Sequence, residues 1–288
     1  MWNEIAEKIS QATGKSFAIQ DRRSVGGGCI NQGYVISDGT DTYFVKFNRA
    51  SEYEMFAAEA LGLKEMYETK TIRIPQPICW GTTDSSAYIV MEWLELGRGG
   101  GSEVWKKMGE QLAQMHRKGM AEKFGWHRNN TIGSTPQINT WTENWADFFA
   151  EHRIGYQLRL AKRRGGNYPD PNKVVERVRE ILADHHPQPS LVHGDLWGGN
   201  AEVTKDGEPV ILDPATYYGD REVDIAMSEL FGGFPAGFYQ GYNATWELDS
   251  GYQQRKDLYN LYHILNHFNL FGGGYGSQAR RIIERLML

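Results

Sequence analysis

The sequence is poor in cysteine. Cys29 and Cys79 are its only two, too few for a disulfide scaffold and without metal-type spacing. Long apolar runs are also missing: no stretch approaches the ~20 residues that span a bilayer. The start, Met1-Trp2-Asn3-Glu4, lacks the charged-then-apolar layout of a signal peptide. Positive charge is not in excess either, the formal net charge being -5. The chain therefore gives no electrostatic reason to expect nucleic acid or an anionic membrane as a partner. Internal repeats and low-complexity tracts are absent. A cytoplasmic protein is the expectation these absences leave. What is present, 40% hydrophobic and 23% charged residues over 288 positions, suits an ordinary folded chain of two lobes or one large domain.

Local pattern divides the chain. Trp2 to Ala12 reads as a short amphipathic helix, with Ile5 and Ile9 one turn apart and Gly14 as its C-cap. Ser24 to Gly33 reads as strand, glycine-rich loop, strand. Thr42 to Phe47 is a further strand after the Asp38-Gly39 turn signal. Glu54 to Tyr67 is rich in helix formers. Ile78 to Gly81 and Ala87 to Trp93 are β-like, and Gly97 to Gly101 is a flexible crossing. Beyond it Val104, Met108, Leu112 and Met115 line a helix, and helical pattern dominates apart from a β-like stretch around His193 to Leu212. The expectation is α+β: a small β-rich lobe over residues 1–95 and a larger, mostly helical lobe over 96–288, with a cleft for a cofactor between them.

The sharpest segment is His193-Gly-Asp195-Leu-Trp197-Gly-Gly-Asn200, followed by the apolar run to Asp213-Pro-Ala. Phosphoryl transfer needs a carboxylate that orients and deprotonates the attacking hydroxyl, and oxygen ligands that hold Mg²⁺ against the phosphates of ATP. Asp195 fits the first role. Asn200 and Asp213 fit the second, because Mg²⁺ prefers oxygen donors. The order is that of a kinase catalytic loop followed, after a strand, by a metal-binding aspartate; the usual Asp-Phe-Gly is here Asp213-Pro214-Ala215. His193 braces the loop in this reading.

Upstream, Lys46 lies inside an apolar strand, where an unpaired ammonium is costly. A phosphate and a carboxylate would resolve that cost. Glu59, on the following helix, is the best carboxylate and Glu54 the alternative. Gly26, Gly27 and Gly28 supply backbone that can approach phosphates closely. Gly14-Lys15-Ser16 is no Walker motif, since Ile9 stands where its first glycine must be.

These segments, with Gly219-Asp-Arg-Glu-Val-Asp224, resemble the aminoglycoside-phosphotransferase superfamily of the protein-kinase-like fold. More narrowly, the chain resembles the fructosamine kinase (ketosamine 3-kinase) family. Gly26 to Asn31, Phe56-Ala-Ala-Glu59-Ala-Leu-Gly62-Leu, Trp197, and the stretch from Phe124 to Arg153 carry that likeness. It implies transfer of the ATP γ-phosphate to the 3-hydroxyl of a ketosamine, a sugar adduct on a free amine or a glycated protein. The phosphorylated adduct is unstable and falls off, restoring the amine. It carries Asp195 over as base, Asn200 and Asp213 as Mg²⁺ ligands, and Lys46 with Glu59 as phosphate clamp. In this fold the backbone of the connector, here Glu92 and Leu94, meets the adenine.

Other residues carry more than one reading. Trp197 stands near the acceptor by its place beside Asp195. Trp126, Trp141 and Trp145 suit either a sugar-binding floor or helical core. Asp220 and Asp224 read as structural, Asp224 at a helix start. His263 and His267 have a spacing that can bind zinc but lack a third ligand. Cys29, in the glycine-rich loop, is a candidate for oxidation and for a disulfide-linked dimer. Two rivals to a ketosamine kinase stand: a kinase for another small hydroxylated amine such as an aminoglycoside or choline, and a nucleotide-binding regulator without catalysis. The second predicts loss of Lys46, Asp195, Asn200 or Asp213, and all four are present.

Overall fold

The computed structural model of the protein describes residues 1–26 and 30–288. Helix α1 (Trp2–Thr13) ends at Gly14, whose φ of 70° is the left-handed C-cap that glycine adopts without strain. Strands β1 (Asp21–Val25), β2 (Gln32–Ser37), β3 (Thr42–Arg49), β4 (Pro77–Thr82) and β5 (Ser86–Glu92) form one antiparallel sheet in the order β1-β2-β3-β5-β4. Helix α2 (Tyr53–Glu68) crosses between β3 and β4.

The two-residue period of β3 decides what the sheet does. Tyr43, Val45 and Phe47 face one side, where Val45 and Phe47 pack with Ile5 and Ile9 of α1 and Tyr88 and Val90 of β5. Ile5 and Ile9 are fully buried there, each contributing ~1.5–3 kcal/mol by the usual scale of side-chain burial. Phe44 and Lys46 face the other side, toward α2 and the cleft.

The rest is mostly helical. Helix α3 (Ser102–Lys118) is followed by a hairpin, β6 (Asn130–Ile132) and β7 (Thr135–Gln137), then α4 (Trp145–Phe149), a π-helical turn (Ala150–Gly155), α5 (Tyr156–Arg163) and α6 (Pro171–Leu182). Strands β8 (Ser190–Val192), β9 (Ala201–Val203), β10 (Pro209–Ile211) and β11 (Tyr217–Gly219) make two short antiparallel pairs, β8 with β11 and β9 with β10. Helices α7 (Glu222–Glu229), α8 (Ala236–Thr245), α9 (Tyr252–Phe271) and α10 (Tyr275–Leu286) close the chain. No helix of the described residues is long and apolar enough to cross a membrane.

The change from the five-stranded sheet to mainly helical structure falls between β5 and α3, but the core does not divide there. One apolar cluster runs from Phe56 and Leu63 of α2 and Ile89 of β5 through to Leu112, Phe148, Leu191 and Leu261 of the helical part. Helix α2 therefore packs against the helical part as well as against its own sheet.

Candidate active site

Lys46 and Glu59 meet as the sequence predicts. Lys46 Nζ lies 2.6 Å from Glu59 Oε1. It also lies 2.5 Å from Asp213 Oδ1, a partner 167 residues away. Burial alone would lower the lysine pKa, but the Asp213 and Glu59 charges beside it raise it, so the group remains an ammonium. The Asp213 carboxyl is in turn held below the ordinary carboxylate range, chiefly by Lys46. Glu54, the alternative partner, instead pairs with Arg128.

Helix α2 holds Glu59 in place because the helical part grips it. The Trp126 indole N–H and the Tyr218 hydroxyl donate to the two oxygens of Glu65, at 3.0 and 3.2 Å. Gly62 lets the helix approach Thr216, whose side chain would sit 3.2 Å from any Cβ placed there. Trp126 and Trp145 are thus core residues, 2% and 1% exposed. Trp141 is outside, stacked on Tyr218. None of the three lines the cleft.

The catalytic loop starts where β8 ends. Gly194 has φ 84°, and a Cβ there would fall 2.1 Å from the Ala215 carbonyl oxygen, so only glycine fits. The Asp224 carboxylate accepts the His193 and Gly194 backbone N–H groups at 2.7 and 2.9 Å. That corrects the reason for the residue: Asp224 lies in the first turn of α7 but holds the catalytic loop rather than capping its own helix. His116 Nε2 also lies 2.9 Å from Asp224, and its Nδ1 lies 2.8 Å from the Tyr242 hydroxyl. His193 braces the loop as expected. Its Nδ1 accepts from the Asp195 backbone N–H at 3.1 Å, and its Nε2–H donates to the Leu212 carbonyl at 2.7 Å. Burial lowers its pKa, which suits this neutral tautomer. The ring thereby ties the residue before Asp213 to Asp195.

Asn200 donates from Nδ2 to the Asp195 carbonyl at 2.9 Å and to its carboxylate at 3.3 Å. This orientation leaves the Asn200 amide oxygen free to face a cation. The Asp195 carboxyl is pushed well above its usual range, first by burial and then by the nearby Asp213 charge.

Gly26, Lys46, Glu59, Asp195, Trp197, Asn200 and Asp213 line a single cavity of about 490 Å³. The Trp197 indole lies across Gly199, where a Cβ would stand 2.3 Å from the ring. Gly27, Gly28 and Cys29 lie outside the described residues, and the dimer expectation for Cys29 with them. Glu92 and Leu94 do not line this cavity. The Glu92 N–H is already bonded to the Gln76 carbonyl at 2.9 Å, and its carboxylate holds Arg73 and the Gln76 N–H. Sequence reasoning missed Phe44, a cavity residue two positions from Lys46 that strand alternation alone could have found. It also missed Asn130, Thr131 and Gly133.

Two other clusters are structural. His263 is buried, and its carbonyl bonds His267 Nδ1 at 2.7 Å within the helix. Among the described residues, the one group of three with metal-ligand proximity is His185, Asp220 and Glu222. Its carboxylates are already engaged, Asp220 by His185 and Tyr259 and Glu222 by Arg255.

A β3 lysine paired with a helix glutamate, an aspartate and an asparagine on one loop, and a second aspartate facing the lysine define a phosphotransferase of the protein-kinase-like class. The comparisons narrow this. The family model described as fructosamine kinase matches residues 1–288. A protein of Synechocystis sp. named a probable ketoamine kinase is 61% identical over 99% of this chain and 97% of its own. The chloroplastic protein-ribulosamine 3-kinase of Arabidopsis thaliana is 45% identical over 94% of this chain and 84% of its own. A crystal structure from Haemophilus somnus, provisionally described as a fructosamine-3-kinase, superposes with a TM-score of 0.94 at 33% identity, covering 100% and 98%. The chain belongs to the fructosamine kinase family and is a kinase acting on a hydroxyl group.

Proposed function

We propose that this chain transfers the γ-phosphoryl group of ATP to the 3-hydroxyl of a ketosamine, a ribulosamine or fructosamine adduct on a free amine or a glycated protein. The phosphorylated adduct then breaks down and frees the amine. The carrying observation is that Lys46, Asp195, Asn200 and Asp213 share one cavity with Trp197. The relatives' names supply the acceptor class, ketoamine and ribulosamine. The low cysteine count supports a cytoplasmic setting for this reaction.

Lys46 presents its ammonium to the phosphates, and Glu59 holds it there. Phe44 offers the nucleotide a flat apolar wall beside it. Asp195 accepts the proton of the attacking hydroxyl. Its raised pKa makes it a stronger base than an exposed aspartate. The donor set fits a hard cation, because the Asn200 amide oxygen and the Asp213 carboxylate are oxygen donors on one cavity wall. Bound Mg²⁺ would neutralise phosphate charge there. With a phosphate on Lys46, Asp213 would be released from this ion pair and could serve beside Asn200 as an oxygen ligand.

Product analysis tests the assignment. With ribulosyl-lysine and Mg·ATP, phosphorus–proton coupling should place the phosphate on C3. A phosphate on another carbon, or on no ketosamine at all, rejects it. Turnover confined to choline or an aminoglycoside would keep the chemistry and move the acceptor.

A further inference from the structure

The hairpin β6–β7 forms part of the cavity wall, with Asn130, Thr131 and Gly133 among the residues that line it. Its pairing, Asn130 with Gln137 and Ile132 with Thr135, puts those four side chains on one face. Ile132, Thr135 and Gln137 are buried on that face. Thr131 stands on the other face, half-exposed. Among the described residues its hydroxyl has no protein partner.

An amide network fixes the hairpin against the metal-ligand segment. Asn130 donates to the Thr216 carbonyl at 2.8 Å, and Gln137 donates to the Ala215 carbonyl at 3.0 Å. Gln137 and Asn139 both donate to the Asn130 amide oxygen, at 2.9 and 2.8 Å. The Tyr262 hydroxyl donates to Gln137 at 2.7 Å. The hairpin is thus tied two and three residues beyond Asp213.

Arg153 holds the base of this network. It is fully buried, and among the described residues no carboxylate pairs with it. It donates to the Ile138 carbonyl at 2.5 Å and to the Asn139 side-chain oxygen at 2.7 Å. Its guanidinium lies over Tyr217, Phe148 and Tyr262, 4.1, 4.6 and 5.5 Å from the ring centres. The His152 carbonyl accepts from it as well, at 3.2 Å; a buried cation without a counter-ion is costly, and three ring faces and three oxygens offset that cost. The π-helical turn that carries Arg153 is the kind of helix irregularity that recurs at functional sites.

We propose that this hairpin selects the acceptor. The Thr131 hydroxyl bonds a sugar hydroxyl beside the one that is phosphorylated, and Arg153 is the positioning residue that sets the hairpin's distance from Asp195. The proposal rests on the ketosamine reading for the sugar, but its test does not. Thr131→Val keeps shape and removes the hydroxyl, leaving the amide network untouched. It should raise KM for ribulosyl-lysine by about 3- to 10-fold, the range of one lost hydrogen bond, with KM for ATP unchanged within about two-fold. Arg153→Lys should lower kcat/KM for the acceptor by at least ~10-fold, a larger change than any in KM for ATP. If Arg153→Lys fails to fold, Thr131→Val decides alone. Acceptor constants equal to the parent's in Thr131→Val, or KM for ATP rising as much as that for the acceptor, would overturn the proposal. If the parent turns over no ketosamine, the substrate reading has failed, and the same constants are measured on the acceptor it does phosphorylate.

Discussion

Lys46 and Asp213 are joined across the cleft, Nζ to Oδ1, at 2.5 Å. The ammonium is 11% exposed while the carboxylate is 54% exposed, so the link runs from a buried clamp to a group that faces the cavity. In the proposed mechanism a phosphate displaces one side of it. Lys46→Met should raise KM for ATP and lower kcat, together costing at least ~10²-fold in kcat/KM, the scale of a lost charge-assisted contact to a transferring phosphoryl group. Glu59→Gln should cost less, since Lys46 keeps its charge and loses only its orientation. Steady-state kinetics with varied ATP would check both; equal losses in the two variants would contradict this division of roles.

In the proposed mechanism Asp195 acts through its carboxylate charge and not through its shape. Asp195→Asn should bind ATP within about two-fold of the parent and lose turnover by at least ~10²-fold, the lower end for removing a general base. Calorimetric ATP titration beside single-turnover rates would measure the two separately. Undiminished turnover would remove Asp195 from the mechanism.

Asp224 connects stability to catalysis. Asp224→Asn leaves one oxygen for two backbone donors and turns an amide N–H toward the other. The expected loss is ~1–3 kcal/mol of stability in urea unfolding, the cost of one unsatisfied buried donor, together with a fall in kcat larger than any change in KM for ATP. A kcat equal to the parent's in the folded variant would make Asp224 a purely structural residue.

Stability should fall with acid through buried histidine. His263 is held neutral by burial, with its pKa lowered to about 3, and burial lowers those of His193 and His267 as well. A histidine whose pKa is depressed on folding binds more protons when unfolded, between the folded value and the unfolded value of about 6.5. Its stabilising contribution is therefore whole above pH 6.5 and declines as pH drops below that, by up to ~1.4 kcal/mol per pH unit for each such residue. His263→Leu should flatten the decline between pH 6 and pH 4 in chemical denaturation. An unchanged slope would mean His263 does not carry the effect.

The two strand-and-helix segments that place Lys46 and Glu59, and the loop from His193 to Asn200, were legible because their chemistry is compressed into short spacings. Asp224 was legible as a residue but not in its role, because its partners His193 and Gly194 are thirty-one and thirty residues away and meet it only after β8 and α7 pack. The tryptophans of the 124–153 stretch could be read two ways. Packing settles two of them as core and puts Trp141 on Tyr218 instead of in the cleft. The hairpin and Arg153 entered the sequence reading only through the family likeness, without a role: Asn130, Gln137 and Asn139 look like loop residues until Thr216 and Ala215 come within reach. The Lys46–Asp213 contact was likewise invisible, since it joins two halves of the chain through nothing but the closed core beneath them.

In the proposed reaction one cavity transfers phosphate from ATP to a ketosamine hydroxyl. Its most direct test is ADP release with Mg·ATP across ribulosyl- and fructosyl-lysine, an aminoglycoside, choline and buffer alone, with Asp195→Asn as the blank. ADP is expected with the ketosamines, and only background with the others and with the variant. ADP with choline or the aminoglycoside instead would contradict the acceptor, and silence on every acceptor with ATP still bound would contradict catalysis itself.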